Sequence, residues 1–371
     1  MKNQLKKNYQ VVNILFVNTN IGYGGASKMM VWVASQMAEK GHDVTFFTYR
    51  SDEKFQILNP KIKHIHNQLE DKYSKHKHFV TCVKSLHELI VRGNYDVVIA
   101  FLSPSILRVA LASIGTNCKV LFSERADPAQ KVISLKSKII KWVNRISFNS
   151  ADAFVFQTSM AASFFSKKVQ EKGVVIPNPI RPLERTKERV FGGDKTIVCV
   201  ARLDIKQKRQ DLLIDAFIEI SHKYPDYSLC LYGDGLNDDE VILRDQAKEY
   251  PNVKFMGPTK DVAEVIQNAT MFVLSSDFEG IPNALLESMS IGVPSVSTNC
   301  SPGGAAMLIR NKKNGLLVPR GDVKALAAAM EYIITHPDES EKMAIQAMEV
   351  NELYAETKIA DKWESFLTNL K

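Results

Sequence analysis

A chain of 371 residues, 45% hydrophobic and 24% charged, has the balance of an ordinary globular protein and room for two α/β domains with separate cores. No apolar run approaches the roughly 20 residues that span a bilayer, and the five cysteines, widely spaced and without a CxxC pair, argue for reduced thiols over disulfides or a metal site. The formal charge of +7 is unevenly spread: residues 1–180 hold 25 Lys and Arg against 12 Asp and Glu, the remainder 23 against 29. A basic first half implies an acidic partner: anionic lipid, a phosphorylated acceptor or nucleic acid.

The N-terminus is basic, but its apolar stretch from Val11 to Val17 is broken by Asn13 and no small-residue cleavage site follows. It reads as a lead-in to a first strand, and the expected location is cytoplasmic. Strands are then expected at 12–18, 43–49, 96–102, 119–124 and 153–158, separated by amphipathic stretches such as Lys28–Lys40 and Phe79–Arg92. The pattern restarts with strands at 196–202, 227–233, 253–257, 271–276 and 294–298, each followed by a helical segment. Alternation of this kind predicts an α/β protein of two Rossmann-like, doubly wound parallel-sheet domains. The expected organisation is a first domain over 1–178, a Pro-containing linker over 179–195, a second domain over 196–350 and a terminal helix over 351–371 that packs back on the first domain. In such sheets ligands bind beyond the carboxyl ends of the strands, so the loops there are where chemistry is to be sought.

The most informative loop follows the strand ending near Ser276 and reads SDFEGIPNALLESMSIGVP. A helix beginning around Pro282 and ending before Gly292 puts Glu287 in its second turn and leaves Glu279 in the loop. The helix N-terminus offers N–H donors and partial positive charge, which suits a diphosphate. Taken singly, either glutamate reads more simply as a solvated surface charge. Earlier, VARLDIKQKRQDLLIDAF leaves a strand through a basic loop in which Arg202 and Lys208 are candidates to neutralise a leaving diphosphate. Lys206 and Arg209 read by default as solvated.

The stretch EGIPNALLESM, with its two glutamates eight positions apart, resembles the E-x7-E motif of retaining GT-B glycosyltransferases, family 4 above all, and the likeness runs along nearly the whole chain. It implies two domains facing across a cleft, and transfer of a hexose-type sugar, with retention, from a nucleoside diphosphate sugar (UDP-linked by family expectation) to a glycan or lipid-linked acceptor. Glu279 then bonds donor-sugar hydroxyls, Glu287 holds the ribose hydroxyls, and the backbone of Gly280, Ile281 and Asn283 approaches sugar and phosphates. Arg202 and Lys208 match the family's Arg and Lys, with one extra residue between them. Gly24 and Gly25, in IGYGGASK after the first strand, match the loop near donor phosphate and acceptor, and Gly257 falls where the nucleobase meets backbone. IGYGGASK fails as G-x-G-x-x-G at Ser27, and the second strand ends without the acidic residue of a dinucleotide site, so an NAD-dependent dehydrogenase is disfavoured.

Many members carry a histidine after the fourth strand; here LFSERADP places Arg125 at that position, a side chain always protonated and so never a general base. An ordinary ion pair between Glu124 and Arg125 is the plainer alternative. No Asp-x-Asp tripeptide occurs, and His64, His66, His76 and His78 alternate with lysines as on a solvated face. Transfer without metal and without a cofactor is therefore expected. KVISLKSKIIKWVNRIS (131–147) sets an apolar stripe against Lys131, Lys138, Lys141 and Arg145, either a core helix with a wet face or a peripheral docking surface for anionic membrane. No aromatic-basic nucleic-acid module is evident. The competing functions are a GT-B-type sugar-nucleotide epimerase or hydrolase, and a non-catalytic subunit that binds a sugar nucleotide and stabilises a partner.

Overall fold

The structure is a computed structural model that describes residues 10–22, 25–49, 57–67, 75–101, 103–125, 127–129, 142–143, 145–180, 194–235 and 238–371. Gly24, the side chain of Glu124, most of the basic stretch 131–147 and linker residues 181–193 lie outside them. The chain divides into two compact units, one of Met1–Ile176 with Thr357–Lys371 and one of Pro177–Glu356.

The first unit is built on a seven-stranded parallel sheet: β1 (Asn13–Asn18), β2 (Asp43–Thr48), β3 (Lys63–His66), β4 (Val97–Ala100), β5 (Lys119–Glu124), β6 (Ala153–Phe156) and β7 (Gly173–Val175), in the order β3-β2-β1-β4-β5-β6-β7. Alternation along each strand feeds a core on either face. From β1, Ile14 and Phe16 enter one core with Met30, Val33 and Met37 of the helix Gly25–Glu39. Leu15 and Val17 enter the other with Leu86 and Ile90 of the helix Lys75–Gly93.

The second unit carries six parallel strands, β8 (Asp194–Val200), β9 (Ser228–Tyr232), β10 (Val253–Gly257), β11 (Ala269–Leu274), β12 (Ser295–Thr298) and β13 (Leu316–Val318), ordered β10-β9-β8-β11-β12-β13. Met271 and Val273 of β11 join the core under the helices Gln210–Ser221 and Val323–Thr335. Phe272 and Leu274 join the opposite core under the helix Asn283–Ser290.

The last helix, Glu356–Thr368, returns to the first unit and buries Ile359, Trp363 and Leu367, spaced four apart along one stripe, in the core of β1 and β4. Its Glu364 and Asp361 accept from Lys40 Nζ at 2.8 and 2.5 Å. Three strands escaped the sequence pattern: β3, β7 and β13, of three or four residues each, all flanking longer ones. β3 is Lys63-His64-Ile65-His66, which places the first two alternating histidines on a sheet strand, where His64 Nε2 lies 3.2 Å from Thr48 Oγ1.

In each sheet the order reverses about the first strand: β1 has β2 on one side and β4 on the other, and β8 has β9 and β11. Loops leaving these strands part to opposite faces, opening a crevice at the carboxyl ends.

Candidate functional site

At the crevice of the second unit two loops meet, 201–209 after β8 and 275–282 after β11. Lys208 Nζ forms an ion pair with Glu279 Oε1, both side chains less than one-fifth exposed. Ser276 Oγ donates to the same carboxylate oxygen at 3.0 Å. Among the cations of this loop it is Lys208 that joins Glu279; Lys206 is exposed and its backbone N–H donates to Asp204.

Arg202 stands on the same loop, its guanidinium 2.7 Å from Asp204 Oδ2 and 3.3 Å from Gln207 Oε1. Partial burial works against the Asp204 carboxylate, but bonds from Arg202 and from the backbone N–H groups of Gln207 and Lys206 outweigh it and hold its pKa below the usual range. Arg202 is thus poised at the loop surface, 44% exposed, tethered by an ionised carboxylate.

The two loops are joined through backbone as well. The Asp277 N–H donates to Gln207 O at 2.8 Å, Gln207 Nε2 donates to Phe278 O at 3.1 Å, and Ser275 Oγ donates to Lys208 O at 2.8 Å. Beneath them the 299–304 loop closes in: Glu279 N–H donates to Ser301 O at 2.7 Å. Gly304 is pressed against the turn so closely that a Cβ there would lie 1.5 Å from Gly280 O. That contact accounts for Gly304, and its neighbour Gly303 stands in the left-handed region at φ 81°. Gly233 serves likewise after β9, where a Cβ would lie 2.0 Å from Ala201 O.

The helix Asn283–Ser290 starts from Pro282, with no side chain capping its first turn. It begins one residue later than expected, Pro282 being extended at φ −74° and ψ 103°. Its dipole points the positive end at the loop that holds Gly280 and Ile281. Glu287 sits half-buried on the second turn, and Gly292 closes the helix in the left-handed region at φ 63°. Gly257 ends β10 at φ 72°, its carbonyl accepting from Gly233 N–H at 2.9 Å. Cys199 and Cys300 lie under the site, and burial pushes their thiols up to about 12 and about 11, so both are neutral.

In the first unit Arg125 follows β5. Its Nε donates to Ser123 Oγ at 2.9 Å, and its guanidinium lies 4.7 Å from the Phe101 ring centroid and 5.9 Å from that of Trp363. Gly25 opens the helix after β1, and a Cβ on it would meet nothing within 4 Å. The open space there leaves backbone accessible.

Sequence reasoning passed over Ser276, Gln207, Asp277 and Ser301. The roles of Gln207, Asp277 and Ser301 arise from pairing across separate loops and carry no local spacing signal, while Ser276 acts within its own loop, three residues before Glu279. Among the described residues no group of three or more His, Cys, Asp or Glu is placed to hold a metal ion, and no helix is long and apolar enough to cross a membrane.

Comparison with known proteins covers both units. Residues 23–182 match Glycosyltransferase Family 4, and residues 194–336 match Glycosyl transferases group 1. A glycosyltransferase of Haemophilus influenzae is 26% identical over 95% of this chain and 99% of its own length. The Campylobacter jejuni enzyme GalNAc-alpha-(1->4)-GalNAc-alpha-(1->3)-diNAcBac-PP-undecaprenol alpha-1,4-N-acetyl-D-galactosaminyltransferase is 23% identical over 97% of this chain and 99% of its own. The crystal structure of Anabaena HepE with UDP superposes with a TM-score of 0.79 at 19% identity, covering 96% of this chain and all of that one. A glycosyltransferase from Rickettsia africae gives 0.80 at 18%, covering 98% and 99%. Two parallel α/β sheets of seven and six strands, the GT-B fold of these structures, and family matches over both units make one assignment: the chain belongs to glycosyltransferase family 4, the glycosyl transferases group 1.

Proposed function

We propose that this glycosyltransferase moves a hexose-type sugar from a UDP-sugar to a glycan or lipid-linked acceptor, with retention and without a metal ion, in polysaccharide or glycoconjugate synthesis. The observation that carries the reading is the Lys208–Glu279 pair at the crevice between β8 and β11. In the structure each satisfies the other. On donor binding Lys208 turns to the diphosphate and Glu279 to the sugar hydroxyls, which a carboxylate accepts as a fork. Glu287 takes the ribose hydroxyls, and Gly280, Ile281 and Asn283 bring backbone to the sugar and phosphates. As the glycosidic bond breaks, its electron pair goes to the diphosphate. Arg202, Lys208 and the helix start at Asn283 offset that growing charge. The acceptor hydroxyl oxygen bonds to the anomeric carbon on the face from which the diphosphate leaves and gives its proton to a phosphate oxygen, so the configuration is kept.

A UDP donor is supported by the Anabaena relative in complex with UDP, and a lipid-linked acceptor by the Campylobacter enzyme whose name specifies an undecaprenyl diphosphate glycan. Arg125 is assigned to the catalytic set, and Gly24 and Gly25 to the loop near the donor phosphate and acceptor. Peripheral contact with anionic membrane, on the inner face, is supported by Trp142 and Ile146, 64% and 50% exposed, which line a groove with Arg145 and Phe164. Flotation with anionic vesicles at low salt tests this contact, and absence of binding removes it.

A panel of nucleotide sugars assayed for nucleotide release tests the main reading. UDP-sugars are expected to turn over, insensitively to EDTA, while Lys208→Ala and Glu279→Ala lose on the order of 10²-fold or more in kcat with folding intact. Wild-type rates in both variants overturn the assigned roles.

A further inference from the structure

Arg209 is a side-chain-bearing residue in the left-handed region, at φ 55° and ψ 43°. It is the N-cap of the helix Gln210–Ser221 and the immediate neighbour of Lys208. Glycine adopts this conformation without strain, so an arginine here costs stability unless its side chain returns something. All three nitrogens of its guanidinium donate hydrogen bonds. Nε and Nη2 donate to the Asp211 carboxylate at 3.1 and 3.0 Å, and Nη1 donates to Asp277 Oδ2 at 3.1 Å.

Asp211, in the first helical turn, is favoured there by the helix dipole without help. Asp277 is the distinctive partner, since it belongs to the other loop, two residues before Glu279. Every polar group of its backbone is also held. Its N–H donates to Gln207 O at 2.8 Å, and its carbonyl accepts from Ser301 N–H at 3.0 Å and from Arg320 Nη1 at 3.1 Å. The Arg209–Asp277 pair therefore ties the residue next to Lys208 to the residue two before Glu279.

We propose that Arg209 and Asp277 are positioning residues that hold the two loops in register, so that Lys208 and Glu279 reach the donor from fixed backbone positions. The proposal rests on the reading of Lys208 and Glu279 as donor-binding groups. Those two side chains must release each other when the donor enters. The loops lose that side-chain tie at that moment, whereas the half-buried Arg209–Asp277 ion pair remains, beside the weaker neutral bonds from Gln207 to Phe278 O and from Ser275 to Lys208 O. Alignment matters most where charge develops, so the cost should fall on kcat more than on ground-state binding of the nucleotide.

The test compares Arg209→Gly, which relaxes the backbone while removing the link, with Asp277→Asn, the double variant, Arg209→Lys and Lys208→Ala. UDP affinity is measured by calorimetry, and kcat by UDP release from the UDP-sugar that the panel identifies. Both single variants are expected to lose about 10- to 100-fold in kcat. Their UDP affinity should stay within about threefold of wild type, and the double variant should be no worse than the weaker single. Arg209→Lys is expected to recover part of the loss. Wild-type kcat in both single variants, or losses that multiply in the double variant, overturn the proposal while Lys208→Ala remains inactive. Wild-type kcat in Lys208→Ala overturns the reading of the site, and the positioning role with it.

Discussion

Trp363, in the last helix of the chain, stacks on Phe101 after β4 with ring centroids 5.8 Å apart and planes inclined by 23°. The Arg125 guanidinium covers the same Phe101 ring at 4.7 Å. The last helix thereby packs against the arginine that stands at the family's histidine position. Trp363 is fully buried, so its removal leaves a cavity that the β1 and β4 core cannot refill.

Trp363→Ala is expected to destabilise the first unit by roughly 3–5 kcal/mol, and Trp363→Phe by clearly less, since the smaller ring can still stack on Phe101. Urea titration followed by circular dichroism reads both. Equal midpoints for wild type and Trp363→Ala would show that the last helix contributes nothing to that unit's core.

Acid should loosen the same helix through His42. Val12 N–H donates to His42 Nδ1 at 3.2 Å, and Nε2 lies 3.5 Å from Glu364 Oε1. Burial lowers the imidazole pKa; Glu364 and Asp43 oppose this, and Lys40 adds to it. Because the folded pKa lies below the unfolded one, the unfolded chain takes up the proton first as pH falls. The contribution is therefore fully present above about pH 6.5 and is lost progressively below it. The urea midpoint of wild type should drop further between about pH 7 and pH 5 than that of His42→Gln. Parallel curves would remove His42 as the cause.

Gly304 and Gly25 should respond oppositely to a methyl group. At Gly304 the new Cβ would sit 1.5 Å from Gly280 O and 3.0 Å from Pro282 Cδ, so Gly304→Ala must displace the turn that precedes Asn283. A loss on the order of 10²-fold in kcat/KM is expected, with helix content retained. Gly25→Ala meets no protein atom within 4 Å and should melt like wild type. Any loss of kcat/KM in Gly25→Ala then reports crowding of a bound substrate. A Gly304→Ala variant of normal activity would contradict the close packing of Gly304 on Gly280.

All five cysteines are buried as free thiols. Burial also pushes Cys118 up to about 12 and raises Cys230. In native protein near pH 8 a thiol reagent such as DTNB should therefore label almost nothing over minutes, and all five sites should react in denaturant. Rapid labelling of even one native thiol would reveal an opening of its core on that timescale.

The long strands were legible in the sequence because each carries its own apolar run, as in Asn13–Asn18 and Ala269–Leu274, and burial of such a run is a property of the run itself. The loop-to-helix stretch at Glu279 was legible for a similar local reason: Pro282, Gly292 and the spacing to Glu287 all lie within one short segment. β3, β7 and β13 were not, being three- or four-residue strands, one of them half histidine, that become strands only once a longer neighbour offers them hydrogen bonds. Lys208 could be singled out from the basic loop after β8, but its partner could not be read there. Lys208 and Glu279 are 71 positions apart, and they meet because β11 crosses back to lie beside β8 rather than outside β10. The same crossing creates the Arg209–Asp277 link, for which no spacing rule gives a sign. Periodicity along a chain records which face of each element leaves water, since that free energy accrues residue by residue. Which elements become neighbours is decided by filling two shared cores and by the crossovers between strands, and only the folded chain holds that information.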